Sequence, residues 1–167
     1  PNKEAQSDLS PYLHFGHLSS HEVFSFLQPE QVDTISDVSE VISLRPDEVV
    51  FKGGDAADSL YAVLEGQVSL ELPREGGVSL HIEDLSTGAL FGSCVCFDLN
   101  LYTLTARSVD HSRLLKISAD GLKRVMEEEP ATGYQVQRMI SRTYFKRYLS
   151  ATGKLQTVAE ALAVRAR

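Results

Sequence analysis

Gln67-Val68-Ser69-Leu70-Glu71-Leu72 alternates polar and apolar residues without a break. In an extended chain Val68, Leu70 and Leu72 share one face and Gln67, Ser69 and Glu71 the other, the pattern of a half-buried antiparallel strand. Outward from this stretch, period-two or short apolar runs recur at Val41–Leu44, Glu48–Phe51, Leu60–Leu64, Val78–Ile82, Thr103–Ser108 and Ser112–Ile117. Turn chemistry separates them at Arg45-Pro46-Asp47, Gly53-Gly54-Asp55, Glu65-Gly66, Arg74-Glu75-Gly76-Gly77 and Ser86-Thr87-Gly88. Seven or eight short strands at this spacing predict an antiparallel sandwich or jelly-roll barrel rather than an alternating α/β sheet.

Helical signals flank the strands. Ser19 with Glu22 three residues on forms a capping box ahead of Val23, Phe24 and Leu27, and Pro29 suits the first turn of a helix carrying Val32 and Ile35. After Ile117 the period returns to helical: Ser118 can cap Ala119–Glu128, and Pro130 opens a long helix carrying Val136, Ile140, Phe145 and Leu149. Gly153 is expected to break that helix, leaving Lys154–Val164 as a final amphipathic turn or helix. The expected fold is mainly β with flanking α: an eight-stranded antiparallel jelly-roll barrel with N-terminal helices and a long C-terminal helix. The expected organisation is an N-terminal arm over residues 1–17, helices and barrel over 18–118, and a helical lid or dimerisation segment over 119–167.

Composition narrows the function classes. The 167 residues are 43% hydrophobic and 23% charged, enough to bury one core, and no run of 18 apolar residues predicts a membrane span. The two cysteines, Cys94 and Cys96, are too few for a disulfide framework, which predicts a reducing, cytoplasmic setting. The net charge is −7, but residues 1–118 carry 18 Asp/Glu against 7 Lys/Arg while residues 119–167 carry 5 against 9. An acidic body with a basic helical tail is a poor phosphate-backbone binder, and about a dozen residues after Gly153 are too few for a helix-turn-helix unit, so neither nucleic acid nor membrane is an expected partner.

Phe51-x-Gly-Gly-Asp-x-x-Asp-x-Leu-Tyr-x-Val-Leu-x-Gly, then Gly88-Ala-Leu-Phe-Gly, then Thr103-x-Thr-Ala-Arg resembles the cyclic-nucleotide-binding domain of catabolite-activator-type regulators, protein kinase A regulatory subunits and gated channels. The resemblance spans roughly residues 18 to 150. It implies a jelly roll whose phosphate-binding cassette follows a Phe-Gly pair: a short helix offers its free N–H groups, a Glu takes the ribose hydroxyl, and an Arg followed by Ser or Thr takes the phosphate. Carried onto this sequence, the cassette is Phe91, Gly92, Ser93, Cys94, Tyr102 and Thr103. Ser93 stands where the Glu is expected and Tyr102 where the Arg is expected. Arg107 shares strand parity with Thr103 and is a candidate substitute cation. Residues from Gln137 to Tyr148 would form the lid.

A charge-assisted Arg–phosphate pair in a partly dry pocket is worth ~2–5 kcal/mol when one partner is lost. Ordinary submicromolar binding of cyclic AMP or cyclic GMP is therefore not expected. The implied function is a non-enzymatic regulatory module with weak or altered nucleotide binding, its ligand a cyclic mononucleotide or related small anion. The alternative is a degenerate domain acting as a dimerisation or protein-interaction scaffold, with homodimerisation through the C-terminal helix. No cofactor and no metal is expected. Cys94-x-Cys96 lacks a second ligand pair, His14, His17 and His21 are interrupted by Gly16, and His81 is a lone strand histidine where a cupin needs His-x-His. Residues 8–20, with Leu9-Ser-Pro and Phe15-Gly-His-Leu-Ser, are similar to a motif in the flavin domain of DNA photolyases. One segment of about a dozen residues builds no flavin cavity, so flavin is not carried over.

Overall fold

The computed structural model describes residues 25–74, 76–97 and 99–165. The N-terminal arm, the Ser19 cap, the three early histidines and the photolyase-like stretch lie outside the described residues. Among the described residues a short helix, α1 (Pro29–Ser36), comes first, with the Gln31 side chain accepting from the Gln28 backbone N–H at 2.9 Å. Eight strands follow: β1 (Ser39–Leu44), β2 (Val49–Phe51), β3 (Ser59–Glu65), β4 (Gln67–Leu72), β5 (Leu80–Ser86), β6 (Leu90–Phe91), β7 (Thr105–Ser108) and β8 (Ser112–Ser118). A five-residue 3₁₀ helix, Ser93–Phe97, sits between β6 and β7, and the chain closes with α2 (Ala119–Glu128) and α3 (Pro130–Arg165).

All strand pairs are antiparallel, in two four-stranded sheets ordered β1-β8-β3-β6 and β2-β7-β4-β5. The fold is mainly β, a jelly roll flanked by helices. One apolar cluster lies between the sheets, built from Phe51, Tyr61, Val63, Val68, Leu70, Phe91, Tyr102, Ala106 and Leu114. A second covers the other face of the first sheet, where Leu60, Ala62, Leu115 and Ile117 meet Val32, Ile35, Leu122, Val125, Val136 and Ile140 of the helices. Strand β3 serves both clusters, so Ser59 through Leu64 are all buried and its sequence reads as a continuous apolar run rather than an alternation. Between β3 and β4, Gly66 takes φ +84°, and a Cβ there would come within 2.5 Å of Ser112 Oγ, so the reversal requires glycine.

Three boundaries differ from the sequence reading. The fifth strand is Leu80–Ser86 rather than Val78–Ile82, because Gly76 and Gly77 take positive φ and the ladder to β4 runs from Leu72↔Leu80 to Gln67↔Ser86. Strand β6 has only two residues, pairing Leu90 and Phe91 with Ala62 and Tyr61, too short for periodicity to register. Helix α3 does not stop at Gly153. A glycine inside a helix costs only about 1 kcal/mol relative to Ala, and nothing in the next turn supplies a competing cap, so the helix continues to Arg165. Ser118 does cap α2, its side chain accepting from the Gly121 N–H at 3.3 Å. Among the described residues no helix is long and apolar enough to cross a membrane.

Candidate functional site

Between the barrel and α3 lies a cavity of about 740 Å³, within the range of small-molecule sites. Phe51, Leu70, Phe91 and Tyr102 form its floor, the first three carried by β2, β4 and β6, and each is at most 7% exposed. Leu80, Ile82 and the carboxylates of Glu83 and Asp84 come from β5. Tyr144, Arg147, Ala151, Lys154 and Leu155 reach it from α3.

The sequence-predicted residues separate into three groups. Phe91, Gly92, Cys94, Tyr102 and Thr103 line the cavity. Gly92 takes φ +75°, and a Cβ would sit 3.0 Å from the Ser59 carbonyl oxygen and 3.1 Å from the Tyr61 ring, so the turn into the 3₁₀ helix needs glycine on both counts. Ser93 is buried beside the cavity but turned to the lid, donating from Oγ to the Tyr144 hydroxyl at 2.9 Å. Arg107 is not brought to the site. The pleat of β7 buries Ala106 between the sheets and sends Arg107 to the opposite face, where Nη1 donates to the Asp47 carbonyl at 2.7 Å and Nε lies 3.9 Å from Glu71.

Tyr102 carries the largest departure from the implied cassette. Its ring stacks on Phe51 with centroids 3.7 Å apart. Its hydroxyl points away from the cavity, accepting from the Ser59 N–H at 3.0 Å and donating to the Ser59 carbonyl at 2.8 Å. Burial raises the phenol well above its ordinary range, so it stays neutral. Where an Arg would aim charge at a phosphate, this wall presents an aromatic face. The same burial pushes the Cys96 thiol up to about 11, leaving it protonated and inert near neutrality. Among the described residues no group of His, Cys, Asp and Glu is placed to hold a metal ion.

Arg147 lies within the expected lid, Gln137 to Tyr148, whereas Lys154 lies beyond it and is the cation sequence reasoning did not place at the site. Arg147 Nε lies 3.0 Å from Glu83 Oε2, and its Nη2 donates to the Leu90 carbonyl at 2.8 Å. Lys154 Nζ approaches the Ile82 carbonyl at 3.4 Å. Arg147, Ala151, Lys154 and Leu155 fall at i, i+4, i+7 and i+8 of one helix, a readable face once the helix is carried through Gly153. The Phe97 ring meets the Tyr144 ring edge-on at 5.2 Å, completing the contact between the 3₁₀ segment and the lid.

Comparison with known proteins agrees with this geometry. A potassium-channel-type protein of Rhodopseudomonas palustris is 26% identical over 119 residues, covering 71% of this chain and 28% of the relative. A CRP-like cAMP-activated global transcriptional regulator of Mycobacterium tuberculosis is 20% identical over 120 residues, covering 72% of this chain and 54% of the relative. This chain thus spans between about a quarter and a half of these two relatives. A solved cyclic-nucleotide-binding-type protein of Geobacter metallireducens superposes with a TM-score of 0.70 at 26% identity, covering 80% of this chain and 96% of that one. The family pattern described as the cyclic nucleotide-binding domain matches residues 41–129, more than half of the sequence, and the chain belongs to that family.

Proposed function

We propose that this domain is a non-enzymatic, ligand-sensing regulatory module in which binding of ordinary cyclic nucleotides is weakened or altered. The observation that carries the reading is the side-chain chemistry at the cassette. Among the described residues no Lys or Arg from the barrel lines the cavity, Tyr102 faces it with a neutral ring, and Ser93 is committed to Tyr144. The cations present stand on α3, and Arg147 is already neutralised by Glu83. A cyclic phosphate placed at the cassette would leave its charge without the partner worth ~2–5 kcal/mol, a loss of roughly thirtyfold or more in affinity.

The test is thermal unfolding with cyclic AMP and cyclic GMP. A ligand at 100 times its dissociation constant stabilises by ~2.7 kcal/mol, a shift of several degrees for a domain of this size. Either nucleotide at ~100 µM is expected to move Tm by less than about 1 °C. A shift of several degrees at that concentration overturns the reading.

A second reading concerns α3 and a second copy of the chain. Phe145, Tyr148, Thr152, Leu155, Ala159 and Leu162 follow the alternating three–four spacing of a coiled-coil seam, and the four large members are 61–69% exposed. A parallel or antiparallel copy would cover this face. Light scattering of the wild type is expected to give a dimer whose population rises with concentration. Leu162→Glu, remote from the cavity, is expected to shift it to monomer; a monomeric wild type at high concentration would remove this reading.

A further inference from the structure

The cavity has an unusual polarity for the ligand class its fold accommodates. Its deep wall is aromatic and aliphatic, formed by Phe51, Leu70, Phe91 and Tyr102. Among the described residues its charges stand on the β5 edge and α3, where Glu83 pairs with Arg147 at 3.0 Å and Asp84 is hydrogen-bonded to His81 at 2.8 Å. Lys154 is the exception. Among the described residues it forms no ion pair, and its ammonium meets only the Ile82 carbonyl at 3.4 Å. A lone cation at the helix side of an apolar chamber complements a molecule with one anionic end and an apolar body.

We propose that the cavity takes an amphipathic organic monoanion, a single carboxylate or sulfonate on an apolar body, with the body inward on Phe51, Leu70, Phe91 and Tyr102 and the anionic end at Lys154. The orientation is the reverse of an anion held deep at the cassette. A cyclic nucleotide fits it poorly, because a phosphate carried inward would meet the aromatic wall without a cationic partner. The inference rests on the reading of this cavity as a ligand site and names the chemistry of its ligand. Because Lys154 is carried by the overhanging part of α3, head-group capture would also tie that part of the helix to the barrel.

The experiment is isothermal titration of the 167-residue chain with decanoate, with 1-decanol as the uncharged counterpart and cyclic AMP in parallel. Decanoate is expected to bind once per chain and about fivefold more tightly than decanol, the upper range of an exposed charge pair. Lys154→Gln is expected to remove that difference. Leu80→Asp, at a position 49% exposed and so tolerant of a charge, is expected to weaken decanoate about tenfold by placing a carboxylate on the cavity wall. Equal affinity for decanoate and decanol, or an unchanged preference in Lys154→Gln, overturns the inference. So does a silent decanoate titration. If cyclic AMP is then also weak, the functional reading above stands alone; if cyclic AMP binds tightly, both fall.

Discussion

The two halves of α3 share one helix, and the second is the more apolar, yet they live in different environments. In the first half Thr132, Val136 and Ile140 are each at most 4% exposed, packed with α2 and the outer face of the first sheet. Even the backbone is close there: a Cβ on Gly133 would come within 2.8 Å of the Met126 carbonyl oxygen. Beyond Tyr144 the residues Phe145, Tyr148, Leu149, Val158 and Leu162 are 52–62% exposed. At 1.5 Å per residue a helix of 36 residues is about 54 Å long, well beyond the width of a barrel this size. The comparison teaches that an apolar stripe specifies a buried face only where another element stands opposite it.

The largest expected effect comes from breaking the packed half. Ile140→Ala removes a side chain 1% exposed and is expected to lower unfolding free energy by ~2–4 kcal/mol in urea titration. Leu162→Ala, 61% exposed, is expected to change monomer stability by less than about 0.5 kcal/mol. Similar costs at both positions would show that the halves are not energetically distinct.

This distinction also marks where the sequence was legible. The extent of β4, the Ser118 cap and the Pro29 start encode local geometry, and the structure has each where the pattern places it, although burial in β4 does not alternate strictly: Ser69 is buried and Leu72 exposed. That residues 91, 92, 94, 102 and 103 fall together along one cavity is legible because glycine, aromatic and turn residues stand in a family's order. Lys154 is hidden because Gly153 looks like a helix end when only propensity is weighed, and the partner of Arg147, though that residue falls in the expected lid, is hidden because it lies on a remote strand. Arg107 was misdirected by parity alone. Which face of a strand looks inward depends on the opposite sheet, and Ala106 rather than Arg107 fills that space.

The next effect tests the wall opposite the helix. Tyr102→Phe keeps the stack on Phe51 but strips the hydroxyl from the Ser59 N–H and carbonyl, leaving both without that partner. The expected cost is ~1–3 kcal/mol. The pH dependence has a definite sign. Burial raises the folded-state pKa of Tyr102, and that of Tyr61, above the ordinary phenol value of 10.0. Their contribution is therefore fully present below that value and is lost as pH rises toward the folded-state values. Denaturant midpoints are expected to fall in alkali, and Tyr102→Phe to flatten part of that fall. An alkaline slope unchanged by the substitution would assign it to Tyr61 or to other groups.

The smallest effect bears on the join between the halves. Ser93 Oγ to Tyr144 Oη at 2.9 Å and Arg147 Nη2 to the Leu90 carbonyl at 2.8 Å hold the overhanging helix to the cassette. A neutral hydrogen bond contributes about 0.5–1.5 kcal/mol, and this one lies at the edge of a segment with few buried contacts, so Ser93→Ala is expected to leave the global denaturation midpoint almost unmoved. Its effect should appear locally. Amide hydrogen exchange in residues 141–160 is expected to accelerate by about two- to tenfold, while 130–140 keep their protection because their burial does not depend on Ser93. Uniform acceleration along the whole helix would mean that the packed and overhanging halves open as one unit. Local acceleration would show that the side chain standing at the expected sugar-contact position works as a latch on the helix, tying cavity occupancy to how the overhanging half is held.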